Sequence, residues 1–208
     1  MALRTARSLL GAALIALVGA GASAQQSDGN NPTCPEQPNW SANRTMQLTP
    51  VERNGITVLL AEGAVDSNLP IRLQETLEDN PDIAEIWLRS PGGDAIAGNE
   101  AGTLLRSNYP GIVTRVPSGW ACFSACNFIF MGGQIRVVEP GGLFMVHMFT
   151  HTGNREAISR GVSSGTDEAV ELIGEIEQAS AQMATEDNDF LIRMGVSRDL
   201  LREVMYST

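Results

Sequence analysis

Ile83-Ala-Glu-Ile-Trp-Leu-Arg-Ser-Pro-Gly-Gly-Asp-Ala95 is the stretch that decides the fold of this 208-residue chain. Ile83 to Arg89 is apolar enough for a buried strand, and Pro91 with Gly92 and Gly93 stops it. Residues 95–107 are small and apolar, and predict a helix that starts directly after the turn. A glycine pair at a strand end permits positive φ and lets backbone N–H groups approach a ligand with no Cβ in the way. A helix start adds unpaired donors and the positive end of a dipole. The expectation is a strand–turn–helix unit whose turn suits a developing negative charge.

The same alternation continues on both sides. Residues 55–61, 111–116, 134–138 and 143–148 read as strands, the last two separated by Glu139-Pro-Gly-Gly142. Leu69, Ile71, Leu73 and Leu77 give helical spacing over 68–78, and a short helix ends near Met131-Gly-Gly133. One long, acidic, amphipathic helix covers 166–194 and is ended by Gly195; Ser197 caps a last helix over 198–205. Strands alternating with helices predict an α/β domain with crossover connections.

The first 24 residues read as a secretory signal. Arg4 and Arg7 make a basic start, residues 9–20 are apolar but too short to span a bilayer, and Ala22-Ser-Ala24 supplies a small-residue cleavage site. Cleavage after Ala24 predicts a periplasmic or secreted product with no stable membrane anchor. Residues 25–45, polar and rich in Gln, Asn, Pro and Ser, read as a flexible arm, and 46–208 as the ordered domain. Beyond residue 24 there are 24 acidic residues against 12 Arg, a formal charge of −12. That sign repels phosphate backbones and anionic lipid, which disfavours nucleic-acid and membrane-surface roles. Lys is absent, so Ser–Lys and Schiff-base chemistry are unavailable.

A second motif lies in Gly119-Trp-Ala-Cys-Phe-Ser-Ala-Cys126, with Phe144-Met-Val-His147 beyond it. A hydroxyl on a strand-to-helix turn, a Gly-Gly turn and an imidazole are the parts of an acyl-transfer site: nucleophile, oxyanion donors and base. With only His147 and His151 in the chain and no Lys, the base for Ser124 falls to one of the two. Gly93 and Ala125 are the candidate oxyanion donors. Each part alone has an ordinary role, as a turn, a capping serine or a structural histidine; their order on these elements carries the specificity. Cys122 and Cys126 are close enough to bridge, while Cys34 makes the cysteine number odd and competes for either. His147 and His151 share a strand face if the strand continues, but no third ligand at convincing spacing joins them, so no metal or other cofactor is expected. Arg89, just before the Pro-Gly-Gly turn, reads as an ion-pair residue, with a substrate carboxylate as the alternative partner.

The wording of these motifs resembles the Clp protease proteolytic subunit and its relatives in the ClpP/crotonase fold. The family's "YINSPGG"-type turn is similar to Ile86-Trp-Leu-Arg-Ser-Pro-Gly-Gly93, its serine turn to 119–125, and its Met-Ile-His strand to Met145-Val-His147. The Cys-flanked serine is most similar to exported ClpP-like proteins. The resemblance covers about residues 57–207 and implies repeated β-β-α units with a long C-terminal helix. It also implies Ser124 as nucleophile, His147 as base, Gly93 and Ala125 as oxyanion donors, a homo-oligomer, and peptide or protein substrates. The family's triad Asp, followed in register past Gly195-Val-Ser197, falls on Thr208. Asp187, Asp189 and Asp199 are near in sequence but out of register. The expected function is an exported serine hydrolase, a peptidase, working with a Ser–His pair. The alternative is a non-catalytic binding or assembly module of the same fold. Acyl-CoA chemistry fits the fold and not the compartment.

Overall fold

The structure, a computed structural model, describes residues 37–147 and 155–206. The signal segment, residues 25–36 of the arm, His151 and Thr208 lie outside the described residues. Strands β1 (Gln47–Arg53) and β2 (Ile56–Glu62) form an antiparallel hairpin. Asn54 and Gly55 turn it, both at positive φ (52° and 81°), the pairing that a two-residue hairpin turn demands. From β2 the chain runs through α1 (Leu69–Asp79) to β3 (Ile83–Arg89), then through α2 (Ala95–Asn108) to β4 (Val113–Val116). Strand β5 (Ala121–Phe123) leaves the sheet, α3 (Cys126–Gly132) follows, and β6 (Ile135–Val138) returns to it. Strand β7 (Leu143–Met145) pairs with β5, and α4 (Arg155–Ser164), the 28-residue α5 (Thr166–Arg193) and α6 (Arg198–Tyr206) complete the order.

The main sheet has the order β1-β2-β3-β4-β6, parallel from β2 onward, and β5 and β7 make a second, two-stranded parallel sheet. The successions β4-β5-α3 and β6-β7-α4 are the repeated β-β-α pattern. Parallel strands need cover on both faces. Val58, Leu59, Ile86 and Leu88 are accordingly fully buried, the last three in one cluster with Leu69, Leu73 and Leu77 of α1 and Leu105 of α2. Ile71, which shares the predicted helical spacing, is instead 62% exposed on the outer side of α1. Among the described residues no helix is long and apolar enough to cross a membrane.

Two differences from the sequence reading concern the edges. Strand β1 was not expected, and its signal was the Asn-Gly pair between two stretches rich in branched residues. The flexible arm does not extend to residue 45. Asn39 donates to Gly119 O (2.8 Å) and accepts from Ala121 N (3.1 Å), Trp40 stacks on Phe123 (centroids 5.8 Å apart), and Asn43 O accepts from Ala64 N (2.9 Å). An aromatic ring and an Asn able to close backbone groups are enough to dock this polar stretch on the domain.

Helices α2 and α3 meet at backbone distance. A Cβ on Gly98 would come within 2.5 Å of Ala125 O, one on Gly102 would strike Phe128 O, and one on Gly132 would strike Gly102 O. Both helices begin at the turns that carry the candidate chemistry, so this contact fixes the two turns against each other.

Candidate active site

Ser124 occupies the turn between β5 and α3 with φ of 57°. A side chain in this left-handed region costs about 1–2 kcal/mol, so its neighbours must hold it there. Beneath it, β5 is bridged to the end of β3: Ser90 N donates to Ala121 O (2.9 Å) and Phe123 N to Ser90 O (3.1 Å). Ser90 Oγ accepts from Gly92 N (3.1 Å), tightening the Pro-Gly-Gly turn. Ahead of Ser124, Asn127 N donates to Ser124 O (2.8 Å), and Asn127 Nδ2 donates to Met145 O (2.7 Å). Cys122 and Cys126 are joined by a disulfide across the turn, with Cα atoms 5.5 Å apart.

His147 follows β7. The expected strand to residue 148 ends at Met145, so His147 sits two residues past the ladder and is exposed. Its ring lies 4.7 Å from that of Phe123, centroid to centroid. Pairing of Phe123 with Met145 brings the ends of β5 and β7 together, and Ser124, Ala125 and His147 line one cavity of about 90 Å³. The rest of its wall is mostly apolar, from Phe128 and Met131 of α3, Val146, and Met183 and Leu191 of α5.

The Gly-Gly turn backs this cavity. Gly92 and Gly93 have φ of 89° and 146°, values that favour glycine. Gly93 is held in a parallel bridge to Val65, with Val65 N donating to Gly92 O (2.8 Å) and Asp94 N to Val65 O (2.9 Å). Gly93 is not among the cavity-lining residues, whereas Ala95, two residues on, is. The start of α2 is capped by its own acid, Asp94 Oδ1 accepting from Ala97 N (3.0 Å). The helix dipole expected to serve the turn is thus partly answered by Asp94, and the backbone N–H groups remain the relevant donors.

Two residues that the sequence reading did not assign to the site belong to its cavity. Asn127 is only 5% exposed, and its Oδ1 is buried with no partner among the described residues. Asp187 of α5 also lines the cavity, and burial, with the neighbouring Glu186 as a lesser cause, pushes its carboxyl up to about 6. The sequence did carry a signal: Met183, Asp187 and Leu191 recur every four residues, an acid inside an apolar helical stripe. The other two acids near in sequence go elsewhere. Asp189 faces a different surface hollow with Glu186 and Arg193, and Asp199 pairs with Arg202 (3.1 Å). Arg89 pairs with Glu62 (3.2 Å) and lies over the Trp120 ring (5.7 Å). Among the described residues no group of three or more His, Cys, Asp or Glu could hold a metal ion.

No family model and no curated protein matches the chain. Solved structures do. A ClpP1 mutant from Listeria monocytogenes is 16% identical with a TM-score of 0.46, over 70% of this chain and 77% of that one. An enoyl-CoA hydratase from Shewanella pealeana is 16% identical with a TM-score of 0.34, over 47% of this chain and 48% of that one. The chain is a mixed α/β protein with a long C-terminal helix whose structural neighbours lie in the ClpP/crotonase fold.

Proposed function

We propose that this chain is an exported serine hydrolase, a peptidase, in which Ser124 is the nucleophile and His147 its base. The observation that carries this reading is that Ser124, held at φ of 57° on a strand-to-helix turn, lines one cavity with the His of the adjoining strand end. A strained, half-exposed hydroxyl beside an imidazole is an arrangement that structure alone does not require.

In this reading His147 accepts the Ser124 proton as Oγ attacks a carbonyl carbon. The oxyanion so formed is met by the N–H groups of Gly93 and Ala125, neither of which donates to another backbone carbonyl among the described residues. The imidazolium then protonates the leaving amine, and water, deprotonated by the same ring, hydrolyses the acyl-enzyme. Export rests on the N-terminal signal, and the disulfide beside Ser124 is in keeping with an oxidising compartment. Self-association is part of the proposal: α5 exposes Val170 and Ile173 at 62% and 55%, apolar surface that a second copy would cover.

The test is labelling with a fluorophosphonate probe. We expect slow labelling of the wild type and none of Ser124→Ala or His147→Ala. Labelling that persists in Ser124→Ala, or is absent from the wild type in both oxidised and reduced form, overturns the hydrolase and leaves a binding or assembly module.

A further inference from the structure

The cavity beside Ser124 is built like a side-chain pocket with one polar requirement. Its wall is apolar on both flanking helices, α3 and α5. Within that wall stand two acceptors that the fold leaves unsatisfied. Asn127 Oδ1 is buried and unpartnered, and its amide cannot turn over to present a donor instead, because Nδ2 is committed to Met145 O (2.7 Å). The Asp187 carboxylate makes no hydrogen bond or ion pair among the described residues. A buried acceptor without a partner costs the fold about 1–3 kcal/mol in lost solvation, and Asn127 Oδ1, with the half-buried Asp187 carboxylate in the same wall, suits a ligand that brings donors.

Two roles compete for Asp187: orienting His147, or receiving a substrate. A carboxylate that oriented an imidazolium would be held at low pKa by that positive charge. Here the influences on Asp187 are burial and Glu186, both acting upward, and His147 is not among them. Among the described residues, His147 and Asp187 are the titratable groups lining the cavity, and no Arg there pairs with the Asp187 carboxylate. A cation carried by a ligand would answer it.

We propose that this cavity receives a substrate side chain with an apolar stem and a cationic end, on the acyl side of the scissile bond, with Asp187 as counter-charge and Asn127 Oδ1 as second acceptor. The stem runs along Phe128, Met131 and Leu191, and the ammonium or guanidinium donates to the two acceptors. This deepens the hydrolase reading above and rests on it for the placement of the bond to be cut.

The experiment compares N-acetyl amino-acid thiobenzyl esters carrying Lys, Met or Glu side chains, with wild type, Asp187→Asn and Asp187→Glu. We expect kcat/KM for the Lys ester to exceed that for Met at least tenfold and that for Glu at least a hundredfold. Asp187→Asn should erase the Lys advantage over Met through KM, and Asp187→Glu should restore part of it. Equal turnover of all three esters, or an Asp187→Asn effect that lowers kcat on all alike, overturns the pocket assignment while leaving Ser124 a nucleophile. Absence of any Ser124-dependent turnover instead overturns the hydrolase. The pocket is then judged by calorimetric binding of N-acetyl-lysine methylamide to Ser124→Ala. Binding weakened tenfold or more by adding Asp187→Asn supports it, and no binding, or binding unchanged by that substitution, overturns it.

Discussion

Gly92 stands directly behind Ser124: a Cβ built on Gly92 would lie 2.6 Å from the Ser124 Cβ and 2.6 Å from Phe123 O. The turn that ends β3 and the turn that ends β5 are in van der Waals contact through a position that has no side chain. Gly92 also has φ of 89°, so two constraints meet at one residue. Gly92→Ala is expected to destabilise the chain by about 2–4 kcal/mol, combining backbone strain with overpacking. Any folded fraction should lose fluorophosphonate labelling, because the Ser124 turn is what must move. Urea denaturation and labelling of the same sample check both.

The Cys122–Cys126 disulfide closes a very short loop around Ser124. Chain-entropy arguments for so short a loop give about 2 kcal/mol. Replacing both by Ala is expected to cost about that much and to slow labelling of Ser124. Reductant should reproduce the effect in the wild type and add nothing in the double variant. Equal labelling rates with and without reductant would show that the bridge does not hold Ser124.

Asp187 titrates at about 6 in the folded chain, above the ordinary 3.8, because it is buried and next to Glu186. The native state therefore binds this proton more tightly than the unfolded state does. The stabilisation is fully present below about pH 4 and is lost as pH rises through 6. A two-unit shift is worth about 2.7 kcal/mol in full, and partial exposure to water reduces this to on the order of 1 kcal/mol. Asp187→Asn should thus be more stable than the wild type by about 1 kcal/mol at pH 7.5 and no more stable at pH 4, as measured by denaturant titration at both values.

Glu85 behaves oppositely. The Arg115 guanidinium grips it with two bonds (2.7 and 2.8 Å), and Trp87 Nε1 donates to it as well (2.6 Å). These partners hold its carboxyl below the usual range, the hydrogen bond from Arg115 being the largest influence. The stabilisation is present above the ordinary glutamate pKa of ~4.3 and fades as pH falls below it. Glu85→Gln should cost about 1–3 kcal/mol at pH 7, with the gap from wild type closing in acid. Arg115 keeps Glu139 at 3.1 Å, so the variant should still fold.

Much of this architecture was legible because local signals and burial agree. The Ile83–Arg89 strand, the Gly92-Gly93 stop and the 95–107 helix are written in periodicity and turn chemistry, and the long helix expected over 166–194 closes at Arg193. Strand β1 was missed because Pro50 and four charged or polar residues obscure it, although Asn54-Gly55 marked its turn. The end of β7 was misjudged because Val146, a β-branched residue, extends the Leu143–Met145 run after the ladder stops. For the site, the motifs singled out Gly93, Ser124, Ala125 and His147; the last three line one cavity and Gly93 is not among its lining residues. Asp187 could not be placed by register, since it reaches the cavity from a helix packed against α3 rather than from a neighbouring strand. The orphaned oxygen of Asn127 is a property of three-dimensional hydrogen bonding, invisible in any one-dimensional pattern.

The pairing of Phe123 with Met145 has a consequence for how the chain tolerates change in length. Serine follows its strand by one residue and histidine by two, so their separation is kept by counting along two three-residue ladders. Deleting one residue between Gly142 and Met145 would shift His147 by about 3.3 Å and turn each side chain of β7 to the other face. Substitutions that preserve the count can alter every side chain of β7 and still deliver the imidazole. The spacing of Ser124 and His147 is thus a matter of backbone arithmetic, set by residue number in this stretch more than by residue type.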